Sequence, residues 1–159
     1  MDTLLSLLKK NARLSNKELA TLLGKTEEQI EAKIAEYEIN GVIKGYTVIV
    51  DDEKADKDTV TAYIELNITP QAESGFDKIA ETIATYDEVE SVTLMSGAYD
   101  LGVTVSGSNL KEISLFVSQR LSTIAGVLST RTHFTLKTYK ELGIMISDEA
   151  ADERGFVSP

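Results

Sequence analysis

The chain has 159 residues, 42% of them hydrophobic, and a formal net charge of -10, which allows one core of ordinary size or two small ones, two compact domains being the better fit. It contains no cysteine, so disulfides, zinc-thiolate centres and thiol nucleophiles are excluded. No apolar run approaches the length of a bilayer-spanning helix and the N-terminus lacks the layout of a signal peptide, so a soluble cytoplasmic protein with no membrane partner is expected.

Leu4, Leu5, Leu7 and Leu8, with Ala12 and Leu14, supply a first helix. Ser15 and Glu18 stand three residues apart, the spacing at which a hydroxyl and a carboxylate each satisfy a free amide at a helix start. The helix they open carries the apolar stripe Leu19, Ala20, Leu22 and Leu23 and stops at Gly24, the residue most tolerant of a left-handed helix end. Thr26 with Gln29 repeats the capping arrangement. Ile30, Ile34 and Tyr37 then recur at helical spacing until Asn40-Gly41 closes the helix. Three short helices with inward leucines form one small core, and in a helix-turn-helix the last helix reads the DNA groove. A helical interaction domain without DNA affinity fits the same pattern.

Lys44 to Val50 reads as a strand, and the polar run Asp51 to Asp58 as a solvated linker. Asp51, Asp52, Glu53, Asp56 and Asp58 lack the glycine and terminal glutamate of a calcium loop. Val60 to Ile68 alternates apolar and polar residues with the period of a half-buried strand, ended by Pro70. Phe76, Ile79, Ala80 and Ile83 mark a helix. Val89 to Ser96 and Tyr99 to Ser106 form a hairpin about Gly97. Asn109 starts a helix with Leu110, Ile113, Phe116, Val117 and Leu121 inward, and a last strand runs from Gly126 to about Tyr139. The order strand, helix, strand, strand, helix, strand builds an α+β, ferredoxin-like βαββαβ module with both helices on one face of an antiparallel sheet. Its other face is uncovered; such a face with apolar content is usually buried by a second copy, so a homodimer at least is expected. The tail from Ser147 to Pro159 is small, charged and aperiodic.

These elements divide the chain into a helix-turn-helix domain at 1–43, a strand linker at 44–58, the ferredoxin-like domain at 59–146 and a tail at 147–159. No phosphate loop or metal-ligand cluster appears, and the single histidine, His133, has no identifiable catalytic partner, so the chain reads as a non-enzyme without a cofactor.

A helix-turn-helix, the linking sequence Gly41-Val42-Ile43-Lys44-Gly45-Tyr46 and a ferredoxin-like module resemble the Lrp/AsnC family of amino-acid-responsive transcription regulators. The likeness rests on Asn11 to Ala20 (NARLSNKELA), on Asn40 to Tyr46, and on Val92 to Asp100 (VTLMSGAYD) taken with Gly126 to Thr132 (GVLSTRT). It covers residues 2 to 145 in family order. The resemblance implies double-stranded DNA as a partner, dimers joined through the sheet modules, often assembled into octamers, and a small-molecule effector, usually an amino acid, near the hairpin turn. Carried over by position, Leu94, Gly97 and Asp100 fall where the family senses its effector, Phe134 is a further candidate, and Ser96, Ala98, Tyr99 and His133 are neighbours. Gly97 lets a ligand approach backbone amides, and Asp100 can accept from an ammonium group. Relatives commonly carry an aspartate where this chain has Ala98.

The DNA-reading helix, Thr26 to Asn40, presents Glu27, Glu28, Glu31, Glu36 and Glu38 beside a single lysine. Residues 1 to 50 are neutral overall, so the excess negative charge lies beyond them. Lys25, Lys33 and Lys44, with Lys17 on the preceding helix and amides at the helix start near Thr26, are the candidate phosphate contacts. Gln29 toward adenine, or a glutamate toward the amino group of cytosine, are the candidate base contacts. Glu27, Glu31 and Glu38 can share one solvated stripe; Glu28 and Glu36 form a second alignment. Weak, salt-sensitive DNA binding strengthened by oligomeric avidity is the first reading. The alternative is an effector-sensing or protein-binding oligomer whose acidic helix-turn-helix no longer binds DNA strongly.

Overall fold

The computed structural model describes residues 2–55, 59–69 and 75–146. Asp56, Lys57, Asp58, Pro70 and the tail from Ser147 onward lie outside the described residues. The chain falls into two compact units, Met1–Val48 and Ile49–Pro159.

The first unit holds α1 (Thr3–Lys10), α2 (Asn16–Leu23) and α3 (Glu27–Ile39). Asp2 caps α1 by accepting from the Leu4 amide at 2.9 Å. Ser15 and Glu18 form a complete capping box at the start of α2, with the Glu18 carboxylate 2.8 Å from the Ser15 amide. That bonding holds the Glu18 carboxyl below its ordinary value, the Ser15 hydroxyl being the larger cause and its amide the next. Gly24 ends α2 at φ 63° and ψ 37°, a conformation that costs a side chain with a Cβ. Thr26 and Gln29 form the second capping box. Leu4, Leu8, Leu19, Ala20, Ile30 and Tyr37 make the buried core, with Leu5, Leu7, Leu14, Leu23, Ile34 and Ile43 against it. Two expectations change. Leu22 points outward, 61% exposed, since the inward arc of an eight-residue helix is filled by Leu19, Ala20 and Leu23. Helix α1 stops at Lys10, leaving Ala12 in a turn.

Residues 44 to 50 form no strand ladder among the described residues, contrary to their alternating pattern. A strand exists by exchanging hydrogen bonds with a neighbour, and the pattern alone supplies none. Val48 is consequently 75% exposed.

The second unit holds β1 (Val60–Ile68), α4 (Asp77–Ala84), β2 (Val89–Leu94), β3 (Leu101–Gly107), α5 (Leu110–Phe116), a π-helical turn (Val117–Leu121) and β4 (Val127–Phe134). The sheet order is β2-β3-β1-β4 with antiparallel neighbours throughout. Ala62, Ile64, Leu66 and Ile68 of β1 and Leu101, Val103 and Val105 of β3 face Ile79 and Ile83 of α4 and Ile113, Phe116, Val117 and Leu121. Each fully buried leucine or isoleucine there stabilises the fold by about 1.5–3 kcal/mol. The last strand ends at Phe134, short of the expected Tyr139, and a two-residue hairpin of β5 (Lys140–Glu141) and β6 (Ile144–Met145) follows. The Thr135 amide still donates to the Thr61 carbonyl of β1 at 2.9 Å, and one residue further on Leu136 stands 95% exposed.

The uncovered sheet face is polar rather than apolar. Register places Tyr63 opposite His133, Glu65 opposite Arg131 and Asn67 opposite Ser129. Glu65 braces both neighbours, with Oε1 3.1 Å from His133 Nε2 and Oε2 3.4 Å from Arg131. Asn67 donates to the Ser129 hydroxyl at 3.0 Å. Cross-strand polar pairs replace the apolar residues that a simple sandwich face would carry.

Candidate nucleic-acid interface and effector site

The helix-turn-helix unit exposes Lys17, Lys25, Thr26, Gln29 and Lys44, while Lys33 is half-buried. The side chains at the start of α3 are committed to their own backbone: Gln29 Oε1 accepts from the Thr26 amide at 3.1 Å, and the Thr26 hydroxyl accepts from the Gln29 amide at 3.3 Å. Bidentate reading of adenine needs both ends of a glutamine amide, so Gln29 must leave its cap to do it. Lys33 Nζ lies 2.8 and 2.9 Å from the two oxygens of Glu36 and 4.9 Å from the centre of the Tyr37 ring. The Glu36 carboxylate raises the lysine above its ordinary pKa. A Cβ at Gly41 would sit 2.7 Å from Lys44 Nζ, so that ammonium folds over the C-terminal end of α3, where the helix dipole favours a cation.

The glutamates of α3 are not equivalent. Glu28 is held below its ordinary pKa by its own amide and, next, by Thr26, which makes it a helix-start carboxylate. Glu36 is paired with Lys33. Glu38 accepts from the Tyr46 hydroxyl at 2.9 Å, and desolvation followed by this bond raises the Tyr46 phenol. Glu27 and Glu31 are exposed. Sequence spacing grouped these side chains by direction around the helix, and the Lys33–Glu36 pair stands at the i,i+3 spacing of neighbours on one face; the partner that occupies Glu38 comes from the returning chain, which spacing does not encode.

In the second unit, the hairpin turn between β2 and β3 exposes Leu94, Ser96, Gly97 and Ala98, with Tyr99 and Asp100 half-buried. Asp100 is a structural acceptor here. Its Oδ2 takes the Ile68 amide at 2.8 Å, its amide donates to the Leu66 carbonyl at 2.9 Å, and its carbonyl takes the Met95 amide at 2.8 Å. A Cβ at Gly97 would meet nothing within 4 Å and its φ is not left-handed. The Tyr99 hydroxyl lies 2.9 Å from that of Tyr63, the rings packing edge to face at 6.2 Å. The hydrogen bond to Tyr99, then desolvation, push the Tyr63 phenol up to about 12. Tyr63 needed no role on the sequence pattern; its position over Gly102, where a Cβ would fall 1.9 Å from its hydroxyl, ties the turn to the sheet. His133 is on the open face with Glu65, whereas Phe134 is one residue on and packs toward the helices. The two therefore occupy opposite faces. An open cleft of about 360 Å³ elsewhere in this unit is lined by residues such as Asp51, Lys54, Thr61 and Lys137, and by none of the hairpin candidates.

A capped helix-turn-helix and a ferredoxin-like sheet on one chain define a two-part helix-turn-helix regulator. The family model described as the Lrp/AsnC ligand-binding domain matches residues 61–145. The HTH-type transcriptional regulator YugG of Bacillus subtilis (strain 168) is 40% identical over 157 residues, covering 98% of this chain and 95% of that protein. Among solved structures, E. coli AsnC aligns with a TM-score of 0.67 at 21% identity, covering 89% of this chain and 95% of that one. The regulator NMB0573 of Neisseria meningitidis, solved as a complex with L-Met, aligns with a TM-score of 0.70 at 22% identity, covering 89% and 93%. This chain belongs to the Lrp/AsnC family of helix-turn-helix transcriptional regulators.

Proposed function

We propose that this regulator binds double-stranded DNA through the start and outward face of α3, and that an amino acid or similar metabolite at the β2–β3 turn modulates that binding. Residues 1–43 contact DNA, 44–58 join the two parts, and 59–146 bind the effector and assemble the chain as a homodimer or a larger oligomer. Lys17, Lys25, Lys33 and Lys44, with the amides at Thr26, supply phosphate contacts, and Gln29 the base contact. Leu94, Ser96, Gly97, Ala98, Tyr99 and Asp100 supply the effector contacts, with His133 and Phe134 as outer neighbours. Cytoplasmic action follows from the role.

The observation that carries the DNA reading is the doubly capped α2–α3 pair, with α3 exposed along the side away from Ile30 and Tyr37. The L-Met complex of the Neisseria relative supports an amino acid as the effector class. Segment 44–50, which has no strand ladder among the described residues, the polar open face and the space around Gly97 support assembly, since each leaves bonding capacity that a second copy can use.

Mobility shifts on the DNA upstream of the protein's own reading frame, at low and moderate salt with and without single amino acids including L-Met, test both parts. A shift that one amino acid alters is expected. No shift at either salt by the folded oligomer would favour the rival reading, an effector-sensing oligomer with a silent helix-turn-helix, for which the internal neutralisation of Lys33 speaks.

A further inference from the structure

Lys33 is the one basic residue of α3, and it is already engaged. Glu36 offers its ammonium two charge-assisted hydrogen bonds, at 2.8 and 2.9 Å. These are the bonds that a DNA phosphate would offer. The Tyr37 ring lies 4.9 Å from the ammonium and is fixed from behind, because its hydroxyl donates to Asp2. Lysine, carboxylate and ring thus form a preassembled cradle, with the lysine side chain 35% and the glutamate 53% exposed.

We propose that Glu36 is a positioning residue that competes with DNA phosphate for Lys33 and so sets the affinity of the regulator for DNA. The proposal rests on the reading that α3 faces DNA. Glu36 takes two of the three ammonium donors, so a full phosphate contact requires the pair to open, and opening leaves an unpaired carboxylate beside a polyanion. Lys33 then contributes less than a full phosphate contact, and the salt dependence of binding is shallower than the lysine alone would give. Single-strength surface pairs are readily exchanged, so the device tunes affinity without locking the helix.

The test uses four full-length proteins: wild type, Glu36→Gln, Lys33→Met and the double variant. Each is titrated by fluorescence anisotropy with a labelled mixed-sequence duplex of about 30 base pairs from about 50 to about 200 mM salt, since the phosphate component is independent of sequence. Circular dichroism checks the fold, with Lys33→Gln replacing Lys33→Met should the latter unfold. Glu36→Gln is expected to tighten binding several-fold and to steepen the logarithmic salt slope by up to about 0.9, and to do neither in the Lys33→Met background. Equal tightening in both backgrounds would overturn the proposal, because loss of a negative charge near DNA would then suffice. Weaker binding by Glu36→Gln would also overturn it, assigning Glu36 a direct contact with a base. Binding by none of the four at about 50 mM salt would overturn the competition and the DNA reading together; binding without coupling between the two sites would overturn the competition alone.

Discussion

The hydroxyl of Tyr37, near the end of α3, donates to the carboxylate of Asp2, which also caps α1, so one side chain secures two helices across 35 residues of sequence. Asp2 is held below its ordinary value by the Tyr37 hydroxyl first and the Leu4 amide second. Tyr37 is raised, chiefly by the bond to Asp2. The charged aspartate and the neutral phenol are the forms that the fold favours.

Tyr37→Phe therefore destabilises the helical unit at neutral pH. The depressed Asp2 contributes stability above its ordinary pKa of 3.8, lost as pH falls through the lower folded value. The raised Tyr37 contributes stability below its ordinary 10.0, lost as pH rises through its higher folded value. The stability gap between wild type and Tyr37→Phe, measured by denaturant unfolding, should be widest between those values and narrow on either side. No gap at neutral pH would mean that the ring's packing, not its hydroxyl, is what matters, and a gap that does not vary with pH would mean that the hydroxyl acts other than through the Asp2 carboxylate.

Thr26→Ala should destabilise the same unit by about 1 kcal/mol, the usual cost of a lost N-cap, while Thr26→Ser retains the cap. The Thr26 amide that donates to Gln29 Oε1 persists in the alanine variant, so the bond that is lost is the one from the Gln29 amide to the Thr26 hydroxyl. Unfolding measurements on both variants separate the contributions. Equal losses for alanine and serine would show that the threonine methyl, not the cap, is responsible.

Local chemistry in the sequence was enough to locate the helix starts at Ser15 and Thr26, the αL stop at Gly24 and the alternating strand from Val60 to Ile68, because each is decided within a few residues. The resemblance placed the effector candidates on the β2–β3 turn. Partners remote in sequence were not legible. Glu65 meets Arg131 and His133 only through the β1–β4 register, and Tyr63 meets Tyr99 only once β1 lies beside β3. The extra residue Leu128, which shifts that register between Asn67 and Ile68, leaves no local mark either. Residues 44 to 50 failed in the opposite sense, having the pattern of a strand without a ladder partner among the described residues.

Gly102→Ala should break the Tyr63–Tyr99 bond. The added Cβ would fall 1.9 Å from the Tyr63 hydroxyl and 2.7 Å from Cζ, so the ring has to swing away. A loss of about 1 kcal/mol follows from the broken hydrogen bond. Ultraviolet titration should show the Tyr63 phenol falling from about 12 toward its ordinary 10.0. In the wild type the neutral phenol's contribution is complete below pH 10 and lost as pH climbs toward 12. An unchanged titration would mean that the backbone, rather than the ring, gives way.

Asp100 and Gly97 distinguish fold from ligand at the same turn. Asp100→Ala removes the acceptor of the Ile68 amide, and Ile68 is only 4% exposed, so about 1–3 kcal/mol is lost whether or not an effector binds there. Asp100→Asn keeps an acceptor oxygen and removes only the charge. Gly97→Ala adds a methyl group that meets nothing within 4 Å among the described residues, so its effect on unfolding should stay within about 0.5 kcal/mol. Thermal-shift titration with amino acids should then show wild-type stabilisation reduced in both Asp100→Asn and Gly97→Ala despite near-native unfolding in buffer. If both variants respond as the wild type does, the turn is a structural corner, with Asp100 serving the end of β1 and Gly97 serving nothing within reach.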